Sequence, residues 1–237
     1  MKTCRSFWLV ALVLSVLGFA GVGQASLVVF GTGLSLPESI SLVPAGFGTY
    51  SGDYFIPDPG INNVGLGNID YLPPTGGAAS IFVTIPGQIV RPLGGMFLPS
   101  NFGSWGGQFL AVGGSANGSF AVAIASDGTV TPVTSTPVSQ FVSPVLAPAG
   151  FGSVAGQVLV TDNDGTVRAI DQSGNLTTFA TVPGVLPFGA ALAPRASGRL
   201  GVTCWCPTRQ AAIFLRSTLK ATRTSLRPFL GVQTSPD

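Results

Sequence analysis

The chain has 237 residues, 46% of them hydrophobic and only 8% charged, with 11 bases against 9 acids and no histidine. Without histidine there is no Ser-His or Cys-His nucleophile and no imidazole-ligated metal centre. The 33 glycines and 19 prolines exclude helices of useful length over most of the chain, because both residues weaken helix interiors.

Lys2 and Arg5 precede a short apolar stretch from Phe7 to about Ala20, and Gly23-Gln24-Ala25 offers small residues at cleavage positions. This pattern is that of a secretory signal, expected over residues 1–25. The apolar run is short for a membrane span, which takes about 20 residues, and no stop-transfer pattern follows; a single N-terminal anchor helix is the alternative. The expected mature chain from Ser26 to Pro194 has no cysteine. An exported domain without disulfides is held by its core and its sheet pairing.

A repeat then sets in. The stretches Leu42–Gly52, Leu98–Gln108 and Leu146–Gly156 share a Leu, a Pro and a Phe-Gly, at Phe47, Phe102 and Phe151, and Leu192-Ala-Pro194 opens a further copy. The Phe-to-Phe spacings are 55 and 49 residues, and Leu146 to Leu192 is 46. The repeat units therefore fall near 42–97, 98–145 and 146–191, and a fixed period of this size marks a repeat architecture. In the first unit, strands are expected at 53–56, 68–72 and 79–85. In the second they are expected at 108–112, 119–125 and 129–133, with a turn at Ser126-Asp-Gly128. In the third, strands at 156–161, 166–171 and 176–182 are separated by turns at 162–165 and 172–175, and Gly189–Ala193 makes a fourth. Asp, Asn and Gly terminate these runs because they bond their own backbone or accept positive φ. Four short antiparallel strands per unit predict one blade of a β-propeller, so the fold is all-β, with about three to four blades and an irregular C-terminal segment.

The charge balance breaks at Arg195. From Ser26 to Pro194 two arginines face eight acids, net −6; from Arg195 onward seven bases face one acid, net +6. Read one base out of phase, Cys204-Trp205-Cys206 spells Leu-Val, as at Leu159-Val160. Ser225–Leu230 can spell Phe-Ala-Thr-Val-Pro-Gly, as at Phe179–Gly184, and Arg195–Ser197 can spell Gly-Phe-Gly. Residues 195–237 are thus expected to be the next copy in the wrong frame, poorly folded as encoded. The alternative is a basic arm for nucleic acid or anionic lipid. Cys204 and Cys206 lack the companion ligands of a zinc site.

Leu36-Pro-Glu-Ser-Ile40, the run from Phe151-Gly152 through Gly156 to Leu159-Val160, and Asp164-Gly-x-Val-x-Ala-Ile-Asp171-x-x-Gly-Asn175 resemble bacterial exported propellers of the NHL and gluconolactonase-like superfamily. Many such proteins end in a PEP-CTERM sorting tail; the terminal Pro-Glu-Pro, apolar helix and basic end do not appear here, and a frameshift would remove them. The resemblance implies one enzymatic alternative, a calcium-dependent lactonase-type hydrolase whose ion sits on a ring of Glu, Asn and Asp in the central channel. Glu38, the one glutamate, falls where the resemblance places a channel-facing acid, and Asn101 lies near the matching place in the next copy. Ala149 in the third copy cannot ligate, and calcium takes about six to eight oxygens. A solvated strand-end residue is the plainer account of Glu38. The Asp162-Asn163-Asp164 run resembles a calcium-loop start but lacks the later acid and reads as a hairpin turn.

Tyr50 and Trp105 follow Phe47 and Phe102 by three residues, with Val154 in the third copy. They line either one rim as a ligand platform or the seams between blades. The expectation overall is a secreted or cell-surface protein, non-catalytic, with an extracellular ligand or cell-surface component as partner. No nucleic acid partner, no membrane span in the mature chain and no cofactor beyond the calcium alternative are expected.

Overall fold

The computed structural model describes residues 30–60, 67–86, 89–115, 117–137, 140–181, 189–193, 201–205 and 213–216. The chain divides into two compact units, Met1–Phe30 and Gly31–Asp237. The first, with the expected signal peptide, lies apart from Phe30 outside the described residues.

Apart from three short 3-10 turns, the regular structure among the described residues of the second unit is strand. Its first sheet is a meander of β2 (Ser41–Leu42), β3 (Tyr54–Asp58), β4 (Asn68–Leu72) and β6 (Ser80–Thr84). A two-residue parallel ribbon joins β1 (Gly31–Thr32) to β5 (Gly77–Ala78) beside it. The second sheet runs β7 (Ile89–Phe97), β8 (Phe109–Ser115), β9 (Gly118–Ile124), β10 (Val130–Thr136), and the third β11 (Phe141–Leu146), β12 (Val158–Asp162), β13 (Thr166–Ile170), β14 (Leu176–Thr181). A three-stranded sheet of β15 (Gly189–Ala193), β16 (Gly201–Trp205) and β17 (Ile213–Arg216) follows.

Alternation along each second strand explains why the sheets stack. Phe109 and Ala111 of β8 point into a core shared with Phe55 and Ile69 of the first sheet and Phe47 of its β2–β3 loop. Leu110 and Val112, between them in sequence, point the other way, to Val158, Val160 and Ile170 of the third. On β12 the same split sends Leu159 toward Ala190 of the fourth sheet. Successive side chains of a strand face opposite sides, so a sheet apolar on both faces is buried only between two others. First strands also neighbour one another: β2 packs on β7, β7 on β11 and β11 on β15. Four-stranded antiparallel meanders stacked face to face with first strands together are propeller blades.

One expected pairing is different. Gly189–Ala193 does not complete the third blade; it pairs with Gly201–Trp205 as the first strand of the next sheet. Each blade instead begins one strand before its Phe-Gly loop, at β2, β7 or β11. None of these three was expected from sequence, because Pro92, Gly94 and Gly95 interrupt β7 and Pro144 interrupts β11. The chain accommodates them with register shifts at Ile89/Arg91, Pro92/Gly94 and Val142/Val145. Proline removes a ladder donor and is tolerated at sheet edges and bulges, and β7 and β11 are edge strands.

Beyond Pro194, expected to be irregular, β16 and β17 extend the antiparallel order from β15. Val202-Thr203 and Ile213-Phe214-Leu215 carry the β-branched and aromatic residues that suit a strand, and β15 presents an edge for them to join.

Candidate functional site

Each blade has two ends, and different chemistry gathers at each. At one end the Phe-Gly loop joins the first strand to the second. Phe47, Phe102 and Phe151 plug the core, and a single 3-10 turn follows at Gly48–Tyr50, Gly103–Trp105 and Gly152–Val154. The bonding is repeated residue for residue. Phe N–H donates to the O of Pro44, Pro99 or Pro148, and the N–H of Val43, Leu98 or Ala147 donates to the O of Asp53, Gln108 or Gln157. Between the first two loops lies an open apolar cavity of about 410 Å³, lined by Pro44, Phe97, Leu98, Pro99 and Leu146 among others.

At the other end, carboxylates clamp the segments that enter the first and third blades. Asp58, 3% exposed, accepts backbone N–H bonds from Ser35 at 2.6 Å, Leu36 at 3.0 Å and Gly60 at 2.8 Å. Asp162, fully buried at the end of β12, accepts from Gln140 N–H at 3.1 Å and from Arg168 Nε at 2.9 Å. Arg168 also reaches Asp164 at 2.9 Å. Burial works against the Asp164 charge, but bonds from Thr166 and the Arg168 guanidinium hold its carboxyl below the ordinary range. The Asp162–Asp164 run is therefore a hairpin turn with a guanidinium bridging its two acids. Back at the Phe-Gly end, Asp171 caps the β13–β14 turn through Asn175 and Ser173 N–H, and Asp127 caps the β9–β10 turn through Thr129 N–H at 2.9 Å.

The two calcium candidates are not brought together. Glu38 donates its N–H to Pro57 O at 3.1 Å, beside Asp58 at the far end of β3. Partial burial pushes its carboxyl up, Arg91 pulls it down and Asp58 adds to the rise. Asn101 is exposed in the Phe-Gly loop of the second blade, at the opposite end of the sheets. Among the described residues no group of three or more His, Cys, Asp or Glu is placed to hold a metal.

The two rim aromatics sit in seams. Tyr50 packs edge-on against Tyr71 at 5.0 Å and Phe82 at 4.8 Å, with Phe55 beneath. Trp105 packs against the core between the second and third blades, its ring next to Gly174 of the β13–β14 turn.

No family model matches the chain. No curated protein matches it. Among solved structures it is similar to a Lactobacillus plantarum protein, a structural-genomics target, at 15% identity and a TM-score of 0.45. The match covers 79% of this chain and 57% of that one, so the chain spans a little over half that protein's length. The blade architecture follows from the strand pairing itself.

Sequence reasoning missed Asp58, Asp70 and the Arg168 fork. The available signal was an acid ending an apolar run, Phe55-Ile-Pro-Asp58 and Leu159-Val-Thr-Asp162. Among the described residues no helix is long and apolar enough to cross a membrane.

Proposed function

We propose that this chain is an exported, non-catalytic propeller-type protein that binds an extracellular ligand or cell-surface component. The observation that carries the non-catalytic reading is what its carboxylates do. Asp58 and Asp162 clamp entering segments, and Asp127, Asp164 and Asp171 close turns. A group already holding backbone donors is poorly placed to act as a general base. For binding, the apolar cavity between the Phe-Gly loops offers a concave surface of the usual ligand-site size. The export reading rests on Lys2, Arg5 and the short apolar stretch that follows.

The same reading takes residues 195–237 as a further module out of phase, with a sorting tail of the PEP-CTERM type downstream in another frame. The order β15, β16, β17 fits it, because it repeats the order β11, β12, β13. No observation favours the lactonase-type alternative, since Glu38 and Asn101 stand at opposite blade ends.

Expression of the full chain in a bacterial host tests the proposal. A mature N-terminus at Ser26 in an extracytoplasmic fraction is expected; an intact N-terminus retained in the cytoplasm overturns it. Calcium at about 1 mM should leave the melting temperature unchanged, whereas a rise of several degrees supports the hydrolase instead. Nucleotide sequence past codon 194 with no module in either other phase removes the frameshift reading.

A further inference from the structure

We propose that residues 31–38 form a proton-dependent cover over the outer face of the first blade, latched by the buried carboxyl pair Asp58 and Asp70. The strand registers show what is unusual about this pair. Asp70 stands opposite Ile56, as Val122 stands opposite Ala111 and Arg168 opposite Val160. These three residues occupy one position in three successive blades. In the third blade, Arg168 neutralises Asp162 at 2.9 Å while Asp162 holds the entering segment by Gln140 N–H. In the first blade, Asp58 holds the entering segment by Ser35 and Leu36 N–H. The facing position, however, carries a second acid.

Asp58 and Asp70 are 3% and 6% exposed, and Asp70 Oδ1 is buried without a hydrogen-bond partner. Three backbone N–H groups, of Ser35, Leu36 and Gly60, already donate to Asp58. Asp70 beside it then keeps its proton and donates it to Asp58, so that an O–H does in this blade what a guanidinium does two blades on. Burial first, then the charge of Asp58, pushes the Asp70 carboxyl up to about 6. Among the described residues the other charged groups on this side are Glu38 of the cover and Arg91 of β7, which act on each other and, for Glu38, on Asp58. Strand β6, Ser80–Thr84, contributes no titratable group.

Loss of the Asp70 proton leaves two buried carboxylates with one set of donors. Water relieves them only if the cover lifts. Lifting also uncovers Ile56 and Leu72, the latter now packed under Gly31. Their counterparts in register, Ala111 and Ile124, then Val160 and Ile170, are buried against the preceding blade. The uncovered surface is therefore of the kind that takes another sheet face.

Hydrogen exchange on the full chain tests this, with the rates of the Ser35 and Leu36 amides divided by their intrinsic rates at each pH. Protection at these amides should fall about tenfold between about pH 5 and about pH 7.5, while core amides of Leu110 and Leu159 keep theirs. Asp70→Asn should remove the pH difference. Asp70→Val, which installs the second blade's residue, should do the same and serves if the amide variant folds poorly. Equal protection of the wild-type amides at both pH values overturns the proposal. So does a pH difference that persists in both variants.

Discussion

Gly103 has φ of +54°, and a Cβ there would stand 2.3 Å from the carbonyl oxygen of Gln172 in the next blade. The first constraint is conformational, the second is a collision with backbone that cannot swing away. Gly46 has φ of +91° but nothing within 4 Å of its would-be Cβ. The two positions therefore separate strain from contact. Gly46→Ala should cost about 1 kcal/mol, and Gly103→Ala at least about 2–3 kcal/mol, because the seam between the second and third blades must also part. Urea denaturation of both variants reads the difference; equal costs would show that the loop yields without disturbing its neighbour.

The Phe-Gly loop is the element that makes one blade fit the next. Its Phe is buried, 4%, 1% and 1% exposed at Phe47, Phe102 and Phe151, and its Pro, Leu and Gly neighbours carry the repeated backbone bonds. Truncating such a plug removes a large buried side chain, so Phe102→Ala should lower stability by about 3–5 kcal/mol. Asn101→Ala, one residue away and exposed, should stay within about 0.5 kcal/mol. A large loss at Asn101 would mean that it holds something the loop needs. The first strands β7 and β11 show the converse behaviour at element level. Their prolines and glycines make poor strands in isolation, and they pair because an edge and a bulge remove the need for every donor.

At the scale of the whole molecule, stability against pH follows from two opposed sets of acids. Backbone bonds from Thr129 hold Asp127 below the ordinary range, the bond from Asn175 does so for Asp171, and those from Thr166 do so for Asp164 against its burial. Their contribution is present above about pH 4, the unfolded value, and is lost as pH falls through the lower folded values. Asp70, raised to about 6, works the other way. Its contribution is full below about pH 4 and is lost as pH rises to about 6, a decline of roughly 2–3 kcal/mol at most. The melting temperature should therefore peak near pH 4, fall toward pH 6 and level off, with Asp70→Asn flattening the fall. A melting temperature that rises steadily from about pH 4 to pH 7 would contradict the buried pair.

What the sequence determined by itself is what neighbouring residues settle among themselves. Alternation over Leu159–Thr161 and Val167–Ala169, the Asp-Gly turns and the thrice-repeated Phe-Gly loop act within a few residues, so strands, turns and repeat were legible. Only the tertiary structure decided which strand joins which sheet, that Pro- and Gly-broken stretches serve as first strands, and which acids meet. Gly189–Ala193 looks the same in either pairing; the free edge it finds makes the choice. Glu38 and Asn101 match in the repeat yet lie at opposite blade ends, while Asp58 and Asp70, unremarked in the sequence, meet across a register. The reason is physical: ladder pairing and side-chain encounter depend on partners many residues away, and a one-residue shift of register would reverse every face.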